Sequence, residues 1–127
     1  MRILVVDDDV RVCETIRKMF ERNGYEAKCA HTSLEAADMV SRESFALAVI
    51  DWDLSGTISG VELGRSLRRM GMGTFMISGY SKAAIRGAWR DPLEGFLQFY
   101  EKGDPNFTRD LLIGADRVRR SIEDTQP

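Results

Sequence analysis

Ile3-Leu4-Val5-Val6-Asp7-Asp8-Asp9 is the stretch on which the fold turns. Four aliphatic residues in a row show no alternation, so neither face of the segment is meant for water. A strand covered on both faces of a parallel sheet has this pattern. Three carboxylates then stop the run. Similar apolar runs follow at residues 45–50, 74–77 and 96–100, the last interrupted by Gln98. A weaker candidate, residues 25–30, comes after Asn23-Gly24, a good helix stop, and is expected at a sheet edge.

Helical patterns separate these runs. Val10, Cys13, Ile16 and Phe20 recur at spacings of three and four. Thr32 with Glu35, and Ser59 with Glu62, match the capping box that satisfies free N–H groups at a helix start. Further stripes are Leu63, Leu67 and Met70; Ile85, Ala88 and Trp89; and Leu111, Ala115, Val118 and Ile122. The last helix is expected over about 105–123. Strand and helix thus alternate five times with no Pro/Gly/Ser-rich linker and no internal repeat, which predicts a doubly wound α/β sheet with helices on both faces.

The 127 residues suit one folded unit, with 43% hydrophobic and 30% charged residues. Net charge is -2, but residues 1–64 carry 7 basic and 12 acidic groups and residues 65–127 carry 11 and 8. An acidic front half is no footprint for nucleic acid, and Arg117, Arg119 and Arg120 read as a solvated helix end. Cys13 and Cys29 lack metal-ligand spacing and read as small buried thiols of a reducing compartment. No apolar run approaches the ~20 residues of a membrane helix, so a cytoplasmic location without membrane contact is expected.

Chemistry in a doubly wound sheet belongs outside the carboxyl ends of the strands. Those ends carry Asp7, Asp8 and Asp9 after the first strand and Asp51 and Asp53 after the third. Ser78 follows the fourth and Lys102 the fifth. A lone acidic residue there is commonly a helix N-cap, and Asp8 or Asp9 can serve as one. Two converging acidic clusters repel each other unless a cation neutralises them. Oxygen-only donors without His or Cys suit Mg²⁺.

Together these segments resemble the receiver domains of two-component response regulators, over essentially the whole chain. Ile3 to Asp9 resembles the family's first strand and acidic pair, and Ala48-Val49-Ile50-Asp51-Trp52-Asp53-Leu54 its phosphoacceptor strand. Ser59-Gly60-Val61-Glu62-Leu63, Met76-Ile77-Ser78-Gly79 and Glu101-Lys102 resemble its third helix start, switch hydroxyl and lysine. The resemblance implies that Asp51 takes a phosphoryl group from a phosphohistidine. Asp8 is implied to ligate Mg²⁺ directly, Asp7 through water, and Asp53 through its backbone carbonyl. Lys102 and Mg²⁺ would stabilise charge in transfer, and Ser78 with Phe99 would form the switch.

Three features depart from the family pattern: Ser55 replaces a proline in a loop one residue longer than usual, Gly103 replaces a proline after Lys102, and residues 90–95 lengthen the approach to the fifth strand. Trp52 and Trp89 read either as packing or as partner anchors, and Gly79 either as a site beside the phosphoryl group or as a flexible turn. Two other functional readings remain open. One is a pseudo-receiver interaction module; the other takes Asp51-Trp52-Asp53 as the DxD of haloacid-dehalogenase-like phosphatases, which normally sits on the first strand.

The expectation is therefore a flavodoxin-like α/β fold: a five-stranded parallel sheet in the order 2-1-3-4-5 flanked by five helices. Residues 1–127 are expected to form a single receiver domain, with no enzymatic activity beyond its own phosphorylation and dephosphorylation. A sensor histidine kinase or phosphotransfer protein is implied as donor. Output is expected through an unidentified downstream protein, with a homodimer as a further possibility.

Overall fold

The computed structural model describes residues 1–56, 58–81, 83–84 and 98–125. Five parallel strands form one sheet: β1 (Arg2–Val6), β2 (Glu26–Ala30), β3 (Leu47–Asp51), β4 (Gly73–Ser78) and β5 (Gln98–Glu101), in the order β2-β1-β3-β4-β5. The expected winding is the observed one, with β2 at an edge. Four helices lie among the described residues: α1 (Val10–Arg22), α2 (Ser33–Arg42), α3 (Gly60–Arg69) and α4 (Phe107–Asp124). The expected helix around Ile85, Ala88 and Trp89, the start of the 96–100 strand and the long stretch at 90–95 lie outside the described residues.

Alternating side chains of the buried strands feed two cores. Leu4, Val6, Ala48, Ile50 and Met76 pack beneath Ala36 of α2 and Leu63 and Leu67 of α3. Ile3, Val5, Leu47, Val49, Phe75 and Ile77 face Cys13, Ile16 and Phe20 of α1 and Leu111 and Ala115 of α4. Both faces are therefore dry, which is why the strands read as continuous apolar runs. Fully burying one such side chain stabilises the fold by about 1.5–3 kcal/mol.

Local chemistry sets the helix boundaries. Asp9 caps α1 by accepting from Arg11 N and Val12 N, so the N-cap role falls to Asp9 and not to Asp8. Thr32 Oγ1 accepts from Glu35 N at 3.0 Å and Ser59 Oγ from Glu62 N at 3.2 Å, completing one half of each expected box. The Glu35 carboxylate accepts from His31 N instead of the cap residue. Asn23 ends α1 and Gly24 takes φ +88°, a conformation that costs glycine little.

Gly60 opens α3 against the end of β3. A Cβ at this position would lie 2.0 Å from the Asp51 carbonyl oxygen, closer than atoms can approach. Only glycine lets the helix start so near the end of β3.

Three expectations need correction. Val10 is 56% exposed and Met70 60% exposed, so the stripes of α1 and α3 begin and end one step inside the predicted ones. Val10 sits at the first turn beyond the sheet, and Met70 is the C-cap of α3. The arginines do not mark a helix end: α4 runs on to Asp124 and its last turn holds no basic residue. Arg119 lies over the Tyr25 ring, 5.8 Å from its centroid, and 3.9 Å from Glu123. Arg117 lines a hollow with Tyr100, Asp104 and Asp110.

Candidate functional site at the carboxyl edge of the sheet

Parallel strands end together, so residues distant in sequence meet at one edge. Trp52 N donates to Ile77 O at 2.7 Å, and Lys102 N donates to Ser78 O at 2.7 Å. These bonds carry the pairing of β3 with β4 and of β4 with β5 one step past the last strand residues. Asp7, Asp8, Asp9, Asp51, Asp53, Gly79, Tyr80 and Lys102 line the resulting crevice, about 410 Å³ in volume.

Asp7 and Asp51 are buried, at 0% and 3% exposure, and Lys102 reaches both. Its Nζ lies 2.7 Å from Asp7 Oδ2 and 3.1 Å from Asp51 Oδ1. Asp7 Oδ1 accepts from Asp9 N at 2.9 Å, whereas the buried Oδ2 has no hydrogen-bond partner among the described residues beyond that ammonium. Asp51 Oδ1 also accepts from Asp53 N at 3.3 Å.

Burial, followed by the charge of Asp7, pushes the Asp51 carboxyl up to about 6, although Lys102 pulls the other way. Burial alone would depress the Lys102 ammonium. Its hydrogen bond to Asp7 and the charge of Asp51 outweigh burial and hold it above its ordinary value. The crevice therefore retains its internal cation but still disfavours full ionisation of Asp51.

Carboxylate oxygens of Asp7, Asp8 and Asp51 lie within 4.8 Å of one another, two of the residues buried and Asp8 exposed. Hard oxygen donors at this spacing fit a divalent cation such as Mg²⁺. The Asp53 carboxylate is exposed and stands outside this group. Its backbone, by contrast, already touches Asp51.

The remaining predicted residues fall nearby in different roles. Ser78 is fully buried, and its hydroxyl accepts from Tyr80 N at 2.9 Å, closing the turn after β4. Phe99 is buried in the core beneath α2 and α3. Trp52 packs partly buried against that same core. Two supporting residues were not singled out for the site by sequence. Ser55 Oγ donates to Asp8 Oδ2 at 2.9 Å. His31 Nδ1 lies 3.2 Å from Asp7 O, which accepts, so the ring carries its proton on Nδ1. Neither has a spacing signature, because both contacts depend on tertiary placement.

Fold and crevice together define a doubly wound α/β domain with a carboxylate cage beside a fixed ammonium. Residues 3–97 match the family model of the response regulator receiver domain. The chain belongs to the response regulator receiver domain family. Response regulator MprA of Mycobacterium avium is 41% identical over 71 residues, 56% of this chain and 31% of that relative. MprA of Mycobacterium tuberculosis H37Rv is 39% identical over 71 residues. The matched stretch spans about a third of the length of these curated relatives. A CheY-like receiver domain protein from Methanospirillum hungatei aligns with a TM-score of 0.79 and 27% identity, covering 97% of each chain. TrrA from Thermotoga maritima, solved in complex with Mg(2+)-BeF, shares the fold with a TM-score of 0.78 at 23% identity, covering 92% of this chain and 97% of TrrA.

The chain is thus a receiver domain of two-component signalling, a phosphoacceptor class and not a conventional enzyme. Receivers of this family hold Mg²⁺ at an acidic cluster and take part in signalling from histidine kinases. The phosphatase-like reading of Asp51-Trp52-Asp53 gives way, since Asp51 ends the third strand and the Asp53 carboxylate stands outside the acidic group. No described helix is long and apolar enough to cross a membrane.

Proposed function

We propose that Asp51 is the phosphoacceptor, taking a phosphoryl group from a phosphohistidine on a sensor histidine kinase or phosphotransfer protein. The observation that carries this reading is Lys102 Nζ set 2.7 Å from Asp7 and 3.1 Å from Asp51 in a crevice with three convergent carboxylates. Asp8 would bind Mg²⁺ directly, Asp7 through water, with the Asp51 carboxylate and the Asp53 carbonyl completing the protein's share. Bound there, the ion supplies Lewis-acid charge for in-line phosphoryl transfer.

The chain's own groups do the rest. The Asp51 carboxylate attacks phosphorus, the phosphorus–nitrogen bond of the donor breaks, and the histidine leaves with the bonding pair. Lys102 holds its ammonium where charge develops on the transferring oxygens. Ser78 exchanges its bond to Tyr80 N for one to a phosphoryl oxygen, and Phe99 follows it as the switch aromatic. Self-phosphorylation from small donors and self-dephosphorylation are the only reactions the domain promotes. Residues 1–127 act as one cytoplasmic receiver domain that signals to a downstream protein, with a homodimer as one route.

Intact mass after incubation with acetyl phosphate, with and without Mg²⁺, tests the assignment on wild type and Asp51→Asn. One phosphoryl adduct is expected, in the wild type and with Mg²⁺ only. An adduct on Asp51→Asn rejects the acceptor. No adduct, with Mg²⁺ binding also undetectable, favours a pseudo-receiver acting as a constitutive interaction module.

A further inference from the structure

The two cysteines lie together on the face of the sheet opposite α2 and α3. Cys13 projects from α1 so that its sulfur is 3.5 Å from Val5 O and 3.9 Å from Ala30 O. Val5 is the register partner of Cys29, and Val6 that of Ala30. The Cys13 sulfur therefore rests over the β1–β2 pair at the level of Cys29, and both residues pack into the same core on this face. A disulfide needs cysteines that share one level and one face, and these two do.

The pair is also asymmetric. Cys13 is fully buried, whereas Cys29 is partly exposed. A small oxidant in water reaches only the second. The neighbouring Cys13 thiol holds the Cys29 thiol below its ordinary range, and the Arg17 guanidinium adds to this, against burial and the charge of Glu14. An accessible thiol with thiolate character beside a shielded second thiol is the arrangement of a peroxide-sensitive site. Ordinary thiol packing requires neither the pairing nor the asymmetry.

We propose that Cys13 and Cys29 form a thiol-oxidation site that reacts with peroxide-class oxidants and closes to a disulfide between α1 and β2. The Cys29 thiolate attacks one peroxide oxygen, the O–O bond breaks, and the departing hydroxide takes up a proton as water. Cys29 is then a sulfenic acid, and the peroxide has been reduced. The Cys13 sulfur attacks the Cys29 sulfur, the S–O bond breaks, and hydroxide leaves with the Cys13 proton as a second water. The Cys13 sulfur is thereby drawn from the Val5 carbonyl on the strand that leads to Asp7.

The test is intact mass and non-reducing peptide mapping of the full chain after stoichiometric hydrogen peroxide. Wild type is expected to lose about 2 Da with a Cys13–Cys29 cross-link that dithiothreitol reverses. Cys13→Ser should accumulate a Cys29 sulfenic acid trapped by dimedone, and Cys29→Ser should stay unmodified over the same time. Oxygen gain without a cross-link in the wild type, a disulfide only between two copies, or no reaction overturns the proposal. The decisive arm is the wild type, so poor folding of a variant does not blur the result. Asp51→Asn should oxidise like the wild type, which separates this site from the phosphoacceptor assignment.

Discussion

The two ends of the sheet handle charge in opposite ways. At the amino end, Arg2 pairs with Glu26 and lies 3.8 Å from Glu43, which also meets Lys28 at 2.5 Å. Two acids and two bases balance there, with the Arg2 and Glu26 side chains 37% and 56% exposed. At the carboxyl end one lysine meets two buried carboxylates, with a third, Asp8, beside them. Exposed pairs contribute little to stability, about 0–1 kcal/mol each. A desolvated, unbalanced cluster costs stability and is explained by what it binds. The contrast teaches that the acidic edge is built for chemistry and the amino edge for solvation.

Substitutions can break or sharpen that contrast. The largest effect is expected from Lys102→Met, which removes the cation that bridges Asp7 and Asp51. Initial phosphorylation rates with acetyl phosphate, followed by mass spectrometry, should fall about 100- to 1,000-fold. An unchanged rate would detach Lys102 from the chemistry.

Next in size is the stability held back by Asp51. Its carboxyl is raised from 3.8 to about 6, so the native state binds the proton more tightly than the unfolded chain. Stability of the metal-free protein should therefore fall as pH rises from about 4 to about 6 and stay reduced above that. Asp51→Asn lifts the penalty. In chelator at pH 7 it should raise the urea unfolding free energy by at most about 3 kcal/mol, a gain that vanishes near pH 4. A pH-independent gain would point to packing instead of charge.

Asp8→Asn should weaken Mg²⁺ binding at least about tenfold by calorimetry, since even outer partners of a metal site matter that much. The smallest effect belongs to the opposite end. Arg2→Met should change unfolding free energy by less than about 1 kcal/mol and leave Mg²⁺ affinity alone. A larger loss there would erase the distinction between the two ends.

The strands and the acidic site were legible for a common reason. Residues 3–6 and 47–50 are buried on both faces, so their apolar runs announce a parallel sheet, and the polar residue ending each run marks the crevice. What sequence hid was side-chain reach. Lys102 was readable as present, but its bridging of Asp7 and Asp51 depends on β5 lying beside β4. Ser55, readable only as a departure in a loop, holds Asp8. Val10 and Met70 fit the helical period but lie past the cover of the sheet, because periodicity does not report where a helix outruns its partner.

Gly60 bears on how such a loop can change over generations. With no room for a Cβ beside the Asp51 carbonyl, position 60 has an alphabet of one letter, while Ser55 holds the other end of the loop through its bond to Asp8. Insertions can accumulate between those two posts without moving either of them. A saturation library across the loop should return many survivors before position 60 and almost none at it, so drift here is channelled into length, with the anchor glycine left as a fixed point of the lineage.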